Sequence, residues 1–314
     1  MLEGWSSHHL RALESVATWP AAVAAVAVLD LGGATHGTPL WMAVTGPEDR
    51  PFPWASVTKP ATALAVLIAC EEGTLDLDEP VGPPGSTVRH LLAHASGLGP
   101  EPGPSVGRPG VTRIYSNAGY VLLGELLATR SHMGFADYLR EGVLGPLGMT
   151  GVTLDEWAEG GPAAAGLVGS LADLVRLGWE LARPTLVSLE THAEACSVAF
   201  AGLSGVLPGF GRFDPCDWGL GVEIRGHKHP HWTGTANAPS TYGHFGRSGA
   251  FIWVDPVAEL CCAALCDRPF GLWATRAWPQ LADDVLHEVA SARMAPTGPV
   301  ARRGRTMSGD VDRR

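Results

Sequence analysis

The chain has 314 residues, 22 basic and 32 acidic side chains, a formal net charge of −10, 40 glycines and 25 prolines. A composition that is 46% apolar and 17% charged belongs to a globular chain with a substantial core and excludes general disorder. The acidic balance excludes the basic stripe a nucleic-acid partner needs, and no apolar run approaches the ~18 residues of a membrane-spanning helix.

Compartment follows from two local features. The apolar run 21–29 has no positive cluster before it and passes directly into a turn, so it reads as a strand rather than a signal-peptide core. Six cysteines in a chain this long make no disulfide framework, and Cys261, Cys262 and Cys266 lie in an apolar run where cysteine acts as a small hydrophobe. A cytoplasmic protein is expected.

Leu10, Leu13 and Ala17 share one helical face and predict a helix over 6–18. Runs 21–31 and 40–45 predict two buried strands divided by a Gly-rich turn. A helix over 61–70 follows Ser56. The stretch 73–112 is rich in Gly and Pro, with a short helix near 88–94, and further helices are predicted over 119–129, 135–143 and 171–181. Residues 218–225 alternate apolar and other side chains and predict a strand. Runs 250–254 and 259–265 read as a hairpin through Asp255-Pro256. Trp278, Leu281, Ala282, Val285, Leu286 and Val289 give a final amphipathic helix. From 294 onward there is no periodicity, and a disordered tail is expected. The predicted class is α+β: one antiparallel sheet built from both chain ends, flanked by helices, with an inserted mainly helical subdomain. Residues 1–72 and 205–293 are expected to form the α/β half of one catalytic domain, 73–204 its helical half and 294–314 the tail. A site is expected in the cleft between the halves.

Of the 22 basic residues only Lys59 and Lys228 are lysines. Unlike a guanidinium, an ammonium can give up its proton inside a protein, so each surviving lysine needs a reason. Lys59 closes Ser56-Val57-Thr58-Lys59, and residues three apart on a helix share a face. A serine hydroxyl becomes a nucleophile when a neighbouring base takes its proton, and a lysine with a lowered pKa can do so. Pro60 confines this segment to a helix's first turn, where N–H groups point outward and suit a developing oxyanion. The spacing arises by chance about 0.1 times in such a chain, and a surface lysine behind a capping serine would also give it.

Tyr115-Ser116-Asn117 precedes a helical run. With four tyrosines and two asparagines in the chain, its chance expectation is roughly 0.03. A phenol near an ammonium can act as a base and an amide can orient a carbonyl, although a helix entry with a packing tyrosine would look the same. His244-Phe245-Gly246 is weak alone, since His132-Met133-Gly134 matches it, but it lies beside a strand where a glycine lets a ligand approach the backbone.

In this order the three motifs resemble those of the serine β-lactamase and penicillin-binding-protein-like hydrolases, above all the class C branch that includes esterases and D-amino-acid peptidases. Residues 87–98, 164–174 and 218–221 are similar to connecting segments of that family, and the resemblance covers roughly 20–290. It implies a β-lactamase/transpeptidase-like fold and acyl-enzyme formation at Ser56, supported by Lys59, with Tyr115 as general base. Who holds the proton among the three is a coupled question. It further implies that Asn117 orients the substrate, that His244, Gly246 and Arg247 line the far wall, and that the Ser56 and Arg247 backbone N–H groups meet the oxyanion. The partner implied is a small ester, amide or lactam, with no cofactor and no metal.

The third motif often begins with lysine in true β-lactamases and here begins with histidine. An imidazole recognises a carboxylate less reliably than a permanent cation does, so esterase-like activity is placed ahead of β-lactamase or D-amino-acid peptidase activity. A binding protein on the same scaffold is the alternative from another class. His94 and Ser96 are expected to be structural, Glu101 to Pro109 to form a loop at the site mouth, and His227-Lys-His-Pro-His231 to be a solvated loop rather than a metal site.

Overall fold

The computed structural model describes residues 6–32 and 40–294. Its strands are β1 (Ser6–His8), β2 (Ala24–Asp30), β3 (Trp41–Thr45), β4 (Phe52–Pro53), β5 (Thr153–Leu154), β6 (Leu167–Gly169), β7 (Gly205–Leu207), β8 (Gly211–Phe213), β9 (Glu223–Ile224), β10 (Tyr242–Phe245), β11 (Phe251–Asp255) and β12 (Leu260–Cys266). The main sheet runs β1-β3-β2-β12-β11-β10-β9. Its pairings are antiparallel except that of β1 with β3. Both ends of the chain meet at its centre, where β2 pairs with β12 from Ala24↔Cys266 to Asp30↔Leu260. This is the α+β architecture the sequence predicts.

Period-2 alternation explains why these central strands read as unbroken apolar runs. Ala25, Ala27 and Leu29 of β2, with Cys261, Ala263 and Leu265 of β12, face one core beneath the helix Leu171–Ala182, and the helix Thr58–Glu71 belongs to the same core. Val26, Val28, Cys262 and Ala264 face the other core, which Trp278, Leu281 and Val285 of the terminal helix Ala274–Met294 close. Both faces are covered, so neither needs polar residues. The helix Thr58–Glu71 is buried at every position from Thr58 to Ala69. A helix apolar all round belongs inside a core, and Lys59, within the buried stretch, is carried inside as well. The helices Asn117–Ser131 and Pro162–Ala165 pack against this helix.

Three expectations change. The predicted helix over 6–18 is a strand at Ser6–His8, parallel to β3, followed by a 3-10 helix at Arg11–Thr18. Glu288 of the terminal helix fixes its start by accepting the N–H groups of Arg11 and Ala12 at 3.0 and 2.9 Å. The predicted strand 218–225 is extended only at Glu223–Ile224. Before it the chain turns: Gly219 N–H bonds the carbonyl of Val222, Leu220 that of Ala195 and Gly221 that of Leu92. Gly221 has φ +92°, and a Cβ there would lie 2.1 Å from that of Ala63. Its glycine serves close approach, not strand alternation. The run 135–143 is a short α-helix, Phe135–Leu139, continued by a π turn at Arg140–Leu144.

The hairpin at Asp255 forms as expected, and its carboxylate accepts the N–H groups of Val257 and Ala258 at 3.0 and 2.9 Å. Met294, the first residue of the expected tail, ends the terminal helix, and the rest of that tail lies outside the described residues. No helix among the described residues is long and apolar enough to cross a membrane.

Candidate active site

Ser56 sits in a single 3-10 turn, Ala55–Val57, that runs into the buried helix. Ala55 is held at φ +45°, a costly conformation for a residue with a side chain. The third motif explains what holds it there. A Cβ on Gly246 would lie 2.4 Å from the Trp54 carbonyl oxygen and 3.2 Å from the Ser56 nitrogen. The end of β10 therefore packs directly on the backbone that carries Ser56, and only glycine fits.

Lys59 lies one helical turn on and is fully buried. Its Nζ is 3.2 Å from Ser56 Oγ and donates to Asn117 Oδ1 at 2.8 Å and to the Ala164 carbonyl at 3.0 Å. It also stands 4.8 Å from the centroid of the Tyr115 ring and 5.4 Å from that of Tyr120. Burial holds the Lys59 ammonium well below its ordinary pKa, against a raising effect from Glu101. Once deprotonated, the amine keeps two N–H donors for Asn117 and Ala164 and has one lone pair for the Ser56 O–H.

The second motif is placed by its own helix. Ser116 caps the helix Asn117–Ser131, accepting the Gly119 N–H at 3.0 Å. That leaves the Asn117 side chain free to face Lys59 and to donate Nδ2–H to Glu101 Oε1 at 3.3 Å. Tyr115 is hydrogen-bonded to Ser56, yet burial raises its phenol further than that bond lowers it. The ring leans on His94 (4.5 Å between centroids), and His94 Nδ1 accepts the Ser116 N–H at 3.1 Å. His94 thus supports the motif from behind.

His244 is buried, and its Nδ1 donates to the Phe245 carbonyl at 2.7 Å. That bond fixes the tautomer and leaves Nε2 as an acceptor without a hydrogen-bond partner. Burial, helped by the nearby Lys59, pushes the imidazole pKa down to about 3, so His244 is uncharged. Arg247 does not restore the cation to the inner wall. Its side chain is 61% exposed at the rim and pairs with Glu159. Ser56, Tyr115, Asn117 and His244 line one cavity of about 280 Å³, whose remaining wall is mostly apolar, from Leu207, Pro208, Trp218, Phe245 and Phe270.

The solvated-loop expectation for 227–231 fails at Lys228 and His231, while His227, His229 and Pro230 are exposed as expected. Lys228 and His231 are buried and meet on Glu223, with Lys228 Nζ 2.9 Å from Oε1 and His231 Nε2 at 2.9 and 3.0 Å from the two oxygens. The Trp232 indole N–H donates to the same carboxylate, which also lines the cavity. Burial alone would raise the Glu223 pKa, but His231 and Lys228 outweigh it and hold the acid at about 2. The scarcity of lysine flagged this residue, but its polar neighbours in sequence concealed the burial. No group of three or more His, Cys, Asp or Glu side chains placed to hold a metal occurs among the described residues.

The sequence profile of the Beta-lactamase family matches residues 23–287. The chain belongs to the β-lactamase family. A β-lactamase from Mycobacterium bovis of known structure is 48% identical, with a TM-score of 0.83, over 88% of this chain and 99% of its own. Penicillin-binding protein 4* of Bacillus subtilis is 31% identical over 131 residues, 31% of this chain and 29% of that protein. The esterase EstB of Burkholderia gladioli is 46% identical over 66 residues, 17% of each chain. The chain thus matches well under half the length of these two relatives. Family and relatives place the chain in the β-lactamase superfamily.

Proposed function

We propose that the protein hydrolyses small, uncharged esters through an acyl-enzyme on Ser56. The observation that carries this is the buried Lys59 amine, its Nζ 3.2 Å from the Ser56 Oγ. Lys59 takes the Ser56 proton as Oγ bonds the carbonyl carbon, and the carbonyl oxygen becomes an oxyanion facing the Ser56 and Arg247 N–H groups. As the intermediate collapses, the bond to the leaving group breaks, and Tyr115 passes it a proton that Lys59 replaces. Water then attacks the ester on Ser56, by the same proton path in reverse. Because Tyr115 is raised and Lys59 lowered, the phenol carries the proton onward and the amine is the first base. Asn117 orients both Lys59 and the bound carbonyl. Residues 1–72 and 205–293 supply Ser56, Lys59 and the wall of His244 and Gly246. Residues 73–204 supply Tyr115 and Asn117 across the cleft of one catalytic domain.

Uncharged esters are preferred because His244 is neutral and the cavity wall is apolar. The 48% identity to a mycobacterial β-lactamase supports lactam hydrolysis as the second reading. A fluorophosphonate should label the wild type and not Ser56→Ala; labelling that survives the substitution removes Ser56 as nucleophile. Panels of p-nitrophenyl esters, D-amino-acid amides and a chromogenic cephalosporin then separate the classes. Binding of these without turnover would instead mark a non-catalytic scaffold.

A further inference from the structure

Among the residues lining the acyl cavity, Arg247 is the one permanent cation, and it already has a carboxylate. It also lines a second, open groove of about 530 Å³, whose wall includes Asp155 and Glu159. Its Nη2 donates to Glu159 Oε2. Arg247 follows β10 and lines both cavity and groove, while Glu159 lies between β5 and the helix Pro162–Ala165 and lines the groove, so the pair joins two separate segments where cavity and groove share a wall. Glu159 raises the Arg247 pKa and is itself held below the usual carboxylate range by the guanidinium. Glu101, which bonds Asn117, acts through space on the same guanidinium. The mouth therefore presents two carboxylates to one cation, and the histidine of the third motif adds no charge.

We infer that Glu159 is a specificity-determining residue: it occupies the position on Arg247 that a substrate carboxylate would take, and so biases the enzyme toward leaving groups that carry no carboxylate. This rests on the reading that the cavity receives the acyl group and that Ser56 is acylated. An anionic leaving group in the groove must displace Glu159 from Arg247 in the presence of Glu101, so it gains one exposed ion pair and loses another. An uncharged leaving group faces no such exchange. Both partners are solvent-exposed, and exposed ion pairs are weak, so the effect is a several-fold bias and not an exclusion.

The test compares butyryl esters of 3-hydroxybenzoate and of methyl 3-hydroxybenzoate, which differ by one carboxylate. Glu159→Gln should raise the anionic-to-neutral ratio of kcat/KM by about three- to tenfold. In an Arg247→Ala background the same substitution should give no gain, because the site vacated by Glu159 then has no cation. Phenylboronic acid, which adds to a nucleophilic serine, reports by its Kd whether Ser56 is competent for addition, without turnover. An unchanged ratio in Glu159→Gln, or a gain that persists without Arg247, overturns the inference and leaves the acyl-transfer reading standing. A wild type that neither hydrolyses the esters nor binds the boronic acid overturns both.

Discussion

At the scale of single residues, the question is where one proton resides. Burial lowers Lys59 and raises Tyr115, so both shifts favour a neutral amine beside a neutral phenol. The working form is the deprotonated one, hence kcat/KM should rise with pH through the Lys59 pKa, with its acidic limb below 10.5. Lys59→Arg keeps the charge but cannot release the proton, and should lower kcat by about 10²-fold or more. Circular dichroism of that variant separates lost chemistry from lost folding, and near wild-type turnover would end the role given to Lys59. His244 is neutral above about pH 3 and should contribute no limb near neutrality. In His244→Gln the acidic limb should therefore keep its wild-type position, and its disappearance would assign the limb to the histidine. Ser56, Lys59, Tyr115, Asn117 and His244 were legible because each motif is local: two or three residues apart, on or beside one helix or strand. The pairing of Arg247 with Glu159 was not legible, since 88 residues separate the partners.

At the scale of elements, two contacts hold the cavity. The end of β10 rests on the Ser56 turn through Gly246, where a Cβ would meet the Trp54 carbonyl oxygen at 2.4 Å. Gly246→Ala should push that turn away and reduce kcat at least tenfold while the protein stays folded, as read from ester kinetics beside a thermal melt. A 1 Å misplacement of a reacting group is enough for such a loss. The segment 218–233 is pinned by Glu223 with Lys228 and His231. Removing one member of a buried ion pair strands the other, at a cost of about 3–5 kcal/mol. Lys228→Met should show that loss in urea unfolding, and Glu223→Gln/Lys228→Met should recover part of it. The acid side has a defined sign. Glu223 is depressed from 4.5 to about 2, so its contribution is present above pH 4.5 and is lost as pH falls towards 2. Stability measured across that range should fall less steeply in Glu223→Gln than in the wild type. The sequence misread this element for a physical reason. The alternation at 218–225 matches a strand, but its glycines answer to Ala63, Leu92 and Ala195, none of them near in sequence.

At the scale of the whole molecule, the sheet is closed by strands from opposite ends of the chain, and each face has its own core. Trp278 is 1% exposed in the core under the terminal helix. Trp278→Ala should cost about 3–5 kcal/mol in urea unfolding, with Ser56 labelling lost no later than the fold, because Trp278 backs Phe245 and Phe270 of the cavity wall at 6.0 and 5.4 Å between ring centroids. The sequence by itself determined the α+β class, the buried strands, the apolar helix behind Ser56 and the three motifs. All of these depend on periodicity and short spacing, which the backbone imposes locally. It also marked Lys59 as exceptional by the near absence of other lysines. Only the tertiary structure decided the state of those groups. Burial lowered Lys59 and His244, raised Tyr115, drew Lys228 inward onto Glu223 and turned Arg247 outward to Glu159. Ionisation depends on the desolvation and charge that distant segments bring together, and no spacing along the chain encodes that environment.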